Sequence, residues 1–463
     1  MSSQTFIDLS RWQFATTAAF HMTFPALSVG LAIFLAICYG LYYKTDNPLY
    51  LQMFRFWRSI FAIGFALGIV SGIVLTFELG LNWGTYARAV GPILGPMICM
   101  EALTAFFLEA GFFGILVWGE GRVSKRVTMV SVCMVALGAL LSTAWILDAN
   151  SWMQTPSGYR EVNGQFQPTN WYDAIFNPAF NWRFPHMVLA VLVAAAWFIA
   201  AIGAYYLLRR RALPLARKTL SIGLLAAAIL LPIQLNVGDN MATYMTAVYQ
   251  PDKLIAAEGN FNNGNTGWNW FVIPDQAQQR NYVQLSIPYA ESVFDYHNFS
   301  GDQSTPGLKT IPQNLQPTVA PVFWGFRVMI YGAWGMFAVA FIGVIMRLRH
   351  RLYTERWFLR LVLWMLPVGV LATIGGWVVS ESGRQPWLVY GKLLVNSSAS
   401  SLSTGELIAS LAAFWVVYLT LITVWIRQVA REVRRGPGPL PDPRPGATGA
   451  PAAPGLPVTP VEA

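Results

Sequence analysis

The stretch Gly375–Trp387, GGWVVSESGRQPW, closes an apolar run that begins near Phe358. Trp377, Glu381 and Arg384 stand at i, i+4 and i+7, so a helix carries them as one stripe. Gly383 and Pro386 then end that helix, because proline disfavours helical geometry in the residue before it. A carboxylate and a guanidinium thus sit in the last turn of a membrane-length helix. Such groups are costly in lipid and face a protein interior or a cavity. The competing reading is a structural ion pair at the membrane surface.

Working outward, the chain has 463 residues, 55% hydrophobic and 11% charged. That composition defines an all-α polytopic membrane protein and excludes a soluble domain. The net charge of +9 comes from Arg and Lys in short loops between apolar runs, so it does not indicate nucleic acid. Cys38, Cys99 and Cys133 all lie inside apolar runs and suggest neither a disulfide framework nor a zinc site. The N-terminus lacks a basic n-region, and the run after it is too long for a signal peptide, so it reads as a retained span.

Nine spans of adequate length are expected, near Phe14–Tyr42, Phe54–Glu78, Ile93–Trp118, Val127–Leu147, Phe184–Leu208, Leu220–Asn236, Val319–Met346, Phe358–Ser380 and Leu407–Ile426. Basic clusters follow spans three, five, seven and nine, at Arg122–Arg126, Arg209–Lys218, Arg347–Arg356 and Arg427–Arg435. The positive-inside rule puts these in the cytoplasm, with the N-terminus outside and the C-terminus inside. Residues 1–436 form the membrane domain. Residues 237–318 are a long outer loop, whose aromatics argue for order. Residues 437–463 are a Pro/Gly/Ala-rich cytoplasmic tail with no core to form.

Of four histidines, only His21 and His186 fall within spans, both near the outer end. A lone membrane histidine is often a packing residue; two at similar depth make metal or haem ligation competitive with that reading. Met329 alone would be core filler. Arg327 beside it calls for an anion such as a haem propionate. His186 and Met329 entering at matching depth could be the axial ligands of one low-spin haem. Glu101 and Glu109 lie eight residues apart in span three, about 12 Å along the axis. Two staggered carboxylates suggest a proton relay, which Ser142 and Asp148 of span four would extend. Lys253 and Glu258, in the long loop, read from spacing alone as a solvated pair.

These residues carry a resemblance. The segments SRWQFATTAAFHMTF, GLNWGTYARAVGPILG, EALTAFFLE, STAWILDANSWMQTP, FRVM and GRQPW make the chain similar to subunit I of the cytochrome bd quinol oxidases, of the short-loop type. The resemblance implies that His186 and Met329 ligate a low-spin haem b, with Arg327 beside it. It implies that His21 and Glu381 ligate two high-spin haems, a haem b and a haem d or a second haem b, with Trp377 and Arg384 flanking Glu381. Glu101 then matches a carboxylate next to the high-spin pair and Glu109 one on the proton path, and Lys253 and Glu258 belong to the quinol loop. The expected activity is oxidation of quinol outside and reduction of O2 to water with cytoplasmic protons, building proton motive force without a pump. A companion subunit II, a small single-span subunit and a bacterial cell membrane are implied with it. The alternative is a haem b electron-transfer anchor without oxygen chemistry, which would need His186 and Met329 but not Glu381, Trp377 or GRQPW.

Overall fold

The computed structural model describes residues 3–264, 267–300, 303–400 and 403–441. Most of the expected tail, 442–463, therefore lies outside the described residues. Helices α1 (Ser3–Thr23), α2 (Pro25–Thr45), α3 (Pro48–Leu81) and α4 (Gly84–Glu101) come first. A π-helical turn, Ala102–Phe106, leads into α5 (Phe107–Trp118), and α6 (Lys125–Gln154) follows. A hairpin of β1 (Tyr159–Val162) and β2 (Gln165–Pro168) and the short α7 (Trp171–Ile175) precede α8 (Pro178–Leu208) and α9 (Leu213–Met241). Another π-helical turn, Ala242–Thr246, opens the long loop. That loop holds α10 (Ala247–Tyr249), α11 (Pro251–Glu258), β3 (Trp268–Asp275), β4 (Arg280–Ile287) and α12 (Ala290–Tyr296). Helices α13 (Val319–Leu348), α14 (Arg356–Trp364) and α15 (Val368–Ser382), the short strands β5 (Trp387–Val389) and β6 (Leu393–Leu394), and α16 (Thr404–Arg435) complete the order.

Among the described residues, nine helical stretches are long and apolar enough to cross a membrane. They correspond to the nine expected spans. Two of them are broken where proline removes an amide donor: Pro25 separates α1 from α2, and Pro367 separates α14 from α15. The helix starts are chemically marked. Asn47 and Asn177 accept from the amides of Leu49 and Phe180, with proline at the first helical position each time. Ser403 and Glu406 form a reciprocal capping box on α16.

Helix α8 runs through the centre, buried along most of its length against α2, α6, α9, α14 and α15. Its Trp197 joins Trp57, Phe61 and Phe358 in the main apolar core. In a membrane such contacts are held by close packing and dispersion, not by exclusion of water. The α13–α15 crossing depends on two glycines. A Cβ on Gly325 would lie 2.9 Å from the Gly375 carbonyl, and one on Gly375 2.8 Å from the Gly325 carbonyl. This approach sets Met329 against α15.

The described residues of the long loop carry helices and a β-hairpin. β3 and β4 pair antiparallel around a turn in which Asp275 accepts from the amides of Ala277 and Gln278. Trp268 is buried beneath this hairpin, while Trp270 is exposed.

Candidate functional site

The GRQPW corner turns at the end of α15, with Gly383 as its C-cap. Arg384 donates to Glu381 Oε2 at 2.5 Å. The other oxygen, Oε1, accepts from Asn150 at 3.0 Å and lies 3.4 Å from Gln154 Nε2, both on α6. Arg384 is 4% exposed, yet its Nε and Nη1 have no partner among the described residues. Unpaired buried donors cost free energy, so this guanidinium is built for a further anion. Arg183 of α8 donates to Ser151 at 3.1 Å and Ser380 at 2.7 Å, tying α6, α8 and α15 together beside Glu381.

A cavity of about 510 Å³ opens between α8, α9, α13, α15 and the long loop. His186 and Met329 both line it, together with Trp377, Arg183 and Lys253. The two sulfur and imidazole side chains reach it over glycines. A Cβ on Gly238 would lie 2.9 Å from His186 Cε1, and one on Gly376 2.9 Å from Met329 Sδ. Gln234 of α9 places its amide 3.3 Å from His186 Nδ1. His21 stands apart from this cavity's wall. It packs against Gly72, and its Nδ1 lies 3.0 Å from Ser71 Oγ. That contact leaves Nε2 as the ring atom available to a metal. Among the described residues no group of three or more His, Cys, Asp or Glu side chains could hold a bare metal ion. His186 and Met329 face one cavity as a pair, whereas His21 and Glu381 stand as single side chains elsewhere.

Glu101 and Glu109 face the same neighbour. Glu101 accepts from Ser142 at 2.8 Å, and Glu109 packs against Gly138, where a Cβ would lie 2.5 Å from its Cγ. Gly138 and Ser142 are four apart on α6, so they share one face. An unbroken α-helix would turn the two glutamates well apart over eight residues. The intervening π-helical turn advances each residue through a smaller angle and brings them back towards α6. Asp148 is buried on the same helix, and neither of its oxygens has a partner among the described residues.

Lys253 and Glu258 are both buried and do not pair with each other, so the solvated pair expected from spacing is corrected. They lie on α11, folded inward by the long loop. Lys253 donates to Gln154 Oε1 and Gln250 Oε1, each at 2.6 Å. Burial first, and then Arg183, pull its ammonium well below the usual lysine range. Glu258 instead receives Arg327 at 2.9 Å, with the two side chains 1% and 0% exposed. Arg327 also donates to the Asn269 and Ala257 carbonyls and lies over the rings of Trp268 and Phe323, both at 4.3 Å. The anion that Arg327 holds is thus a carboxylate of the loop. Its pairing residue lies 69 positions away, beyond the reach of local pattern.

The structure brings together His186, Met329, Trp377 and Lys253 on one cavity, and Glu381 with Arg384 beside it. Glu101 and Glu109 lie along α6, and His21 lies against α3 at Ser71 and Gly72. Sequence reasoning missed Arg183, Asn150, Gln154 and Gln250. The available signal was polar side chains at helical spacing at the end of an apolar run, Asn150 and Gln154 above all.

Nine membrane-length helices among the described residues, with His186 and Met329 reaching one cavity over glycines, fit a membrane haem protein. The chain belongs to the family of cytochrome bd terminal oxidase subunit I, whose model matches residues 9–437. It is 33% identical to the cytochrome bd ubiquinol oxidase subunit 1 of Bacillus subtilis (strain 168), over 92% of this chain and 93% of that protein. It is also 33% identical to the cytochrome bd-II ubiquinol oxidase subunit 1 of Escherichia coli (strain K12), over 94% and 97%. The solved bd oxidase from Geobacillus thermodenitrificans superposes with a TM-score of 0.87 at 26% identity, covering 94% of this chain and all of that one. The chain is a multi-pass bacterial membrane protein and a terminal-oxidase subunit.

Proposed function

We propose that this chain is the haem-bearing subunit of a quinol:oxygen oxidoreductase, oxidising quinol at the face of the long loop and reducing O2 to water. The observation that carries this reading is the cavity on which His186 and Met329 both open, with the Glu381–Arg384 corner next to it.

The donor set fits haem. His186 and Met329 offer the nitrogen and sulfur of a low-spin haem b, in a cavity walled mainly by apolar side chains. His21 and Glu381 offer one ligand each to the high-spin pair, a haem b and a haem d or second haem b. The unpartnered donors of Arg384 suit a propionate. When bound, the haems would supply one-electron chemistry and the iron that reacts with O2.

The protein's own groups do the rest. Lys253, with Gln250 and Gln154, presents donors and acceptors at the cavity for a quinol headgroup. Glu258 braces the loop through Arg327. Quinol releases its two protons at this face, on the outer side. Glu109 and Glu101, lined along α6 with Ser142, carry protons from the opposite, basic face, which is the cytoplasmic one. Electrons and protons meeting from opposite sides separate charge without a pump. Subunit II, a small single-span subunit, quinol and O2 are the partners this reading requires.

The test is an absorption spectrum of the reduced complex, wild type against His186→Ala, Met329→Leu, His21→Ala and Glu381→Ala. Each variant should lose the band of one haem and keep the others. Wild-type spectra in all four would overturn the ligand assignment.

A further inference from the structure

The cavity has an acid that the quinol-loop reading leaves unused. Glu258 does not line it, because Arg327 engages that side chain from behind. Asp295, on the α12 turn, lines it instead, together with Lys253, Trp268 and Phe294. Asp295 is 4% exposed, and its Oδ2 has no partner among the described residues. Its backbone is pinned, since the Asp295 carbonyl accepts from Thr243 Oγ1 at 3.0 Å. A buried carboxyl oxygen left open at a cavity wall is costly unless a ligand or water completes it.

We infer that Asp295 is a headgroup-binding residue, donating a hydrogen bond from its carboxyl to one oxygen of a para-quinone or quinol bound beside Lys253. The inference rests on the reading of this cavity as the quinol site. A quinone oxygen only accepts, so its partner must be a donor. The surroundings keep Asp295 in its donor form. Burial foremost, then the carboxylates of Glu258, Glu291 and Asp239, push it well above the usual carboxylate range, against the opposing pull of Arg327. Asp239 in turn is held by His297 at 2.7 Å, at the rim. Two donor groups of different kind, the Lys253 nitrogen and a carboxylic acid, then line one cavity. A dihydroxy-aromatic headgroup, with an oxygen at each end, is the ligand class that uses both.

The test is equilibrium binding of ubiquinone-1 and of menadione to the purified oxidase complex by calorimetry, from mildly acidic to alkaline pH. KM for the matching quinols is measured alongside. Asp295→Leu should weaken binding and raise KM about tenfold, with kcat changed by less than about twofold. In the wild type, affinity should fall at alkaline pH as the carboxyl loses its proton. Asp295→Asn keeps a donor, so it should bind near the wild-type level and lose the carboxyl's share of that alkaline decline. A decline as steep in the double variant Asp295→Asn, Lys253→Met as in Lys253→Met alone, or an Asp295→Leu variant that binds as wild type, would overturn the assignment. Should Asp295→Leu fail to assemble, the pH profile of the double variant decides. Lys253→Met separates the two levels. If it weakens binding while both Asp295 variants behave as wild type, only the role of Asp295 fails. If Lys253→Met also binds as wild type, the quinol cavity itself is misplaced.

Discussion

Lys253 of the long loop and Glu381 of the GRQPW corner share a single amide. Gln154 Oε1 accepts from Lys253 Nζ at 2.6 Å, and its Nε2 lies 3.4 Å from Glu381 Oε1. The same Oε1 accepts from Gln250 at 2.9 Å. An amide is suited to this place because one end accepts and the other donates. The loop and the membrane corner are therefore mechanically joined, although 128 positions separate their two charged groups in sequence.

Replacing that amide should be felt at both ends. Gln154→Leu leaves buried Lys253 with one acceptor fewer, a cost of about 1–3 kcal/mol. Quinol oxidation is expected to fall about tenfold or more. Gln154→Glu, which keeps the acceptor and adds a charge near Glu381, should alter the absorption of the haem proposed for Glu381. Steady-state O2 uptake with a short-chain quinol, and a reduced spectrum of each variant, check this. Unchanged kinetics in Gln154→Leu would remove the bridge from the mechanism.

Gly376 leaves room for Met329. A side chain there would meet Sδ at 2.9 Å at its first carbon. Gly376→Val should displace the thioether and abolish the low-spin haem b signal while the helical far-ultraviolet spectrum stays. Overpacking of this kind costs about 1–3 kcal/mol, less than unfolding requires. Retention of the full signal would show that Met329 is core filler.

Glu109 tests the direction of proton supply. Glu109→Gln keeps the shape against Gly138 and removes the ionisable group. Turnover should drop at least about tenfold, and Glu109→Asp should recover part of it. Proton uptake by vesicles containing the oriented complex is the measurement. A glutamine variant with wild-type uptake would mean the carboxylates only pack.

Glu291 gives the long loop a pH dependence. Its carboxylate accepts from the Thr305 amide at 2.7 Å and from Asn260 at 3.0 Å, and it is fully buried. Burial, the largest cause, raises it from the usual 4.5 to about 7, with Thr305 opposing and Glu258 adding. The folded loop therefore holds the proton when the unfolded chain has already lost it. Between pH 4.5 and about 7 the unfolded form binds fewer protons, so stability is full at the acid end and declines as pH rises through this window. Limited proteolysis of the loop should accelerate over that range and level off above it. In Glu291→Gln the contribution to that slope should vanish. An unchanged slope would assign the effect elsewhere.

Much of the architecture was legible in the residues. Apolar runs of span length, interrupted by short basic loops, leave few alternatives in a bilayer, because every backbone group must be satisfied within its own helix. The helical placing of Trp377 and Glu381 was equally local, whereas Arg384, expected on the same last turn, lies past the Gly383 cap and reaches Glu381 from the corner. Other features were not local. The π-helical turn that brings Glu101 and Glu109 towards α6 has no marker in EALTAFFLE. The inward fold of α11 was hidden too, which is why Lys253 and Glu258 looked solvated.

Periodicity and the cost of unpaired polar groups in lipid thus determine the bundle and the list of polar residues held at depth, while the breaks at Pro25 and Pro367 inside two expected spans emerge only in the structure. Which of those residues meet was decided only by tertiary packing: Arg327 with Glu258, Lys253 with Gln154, and Asp295 open to the cavity. The physical reason is range. Helix-forming interactions span four residues, whereas each of these contacts depends on helices and loop segments from distant parts of the chain coming to rest against one another.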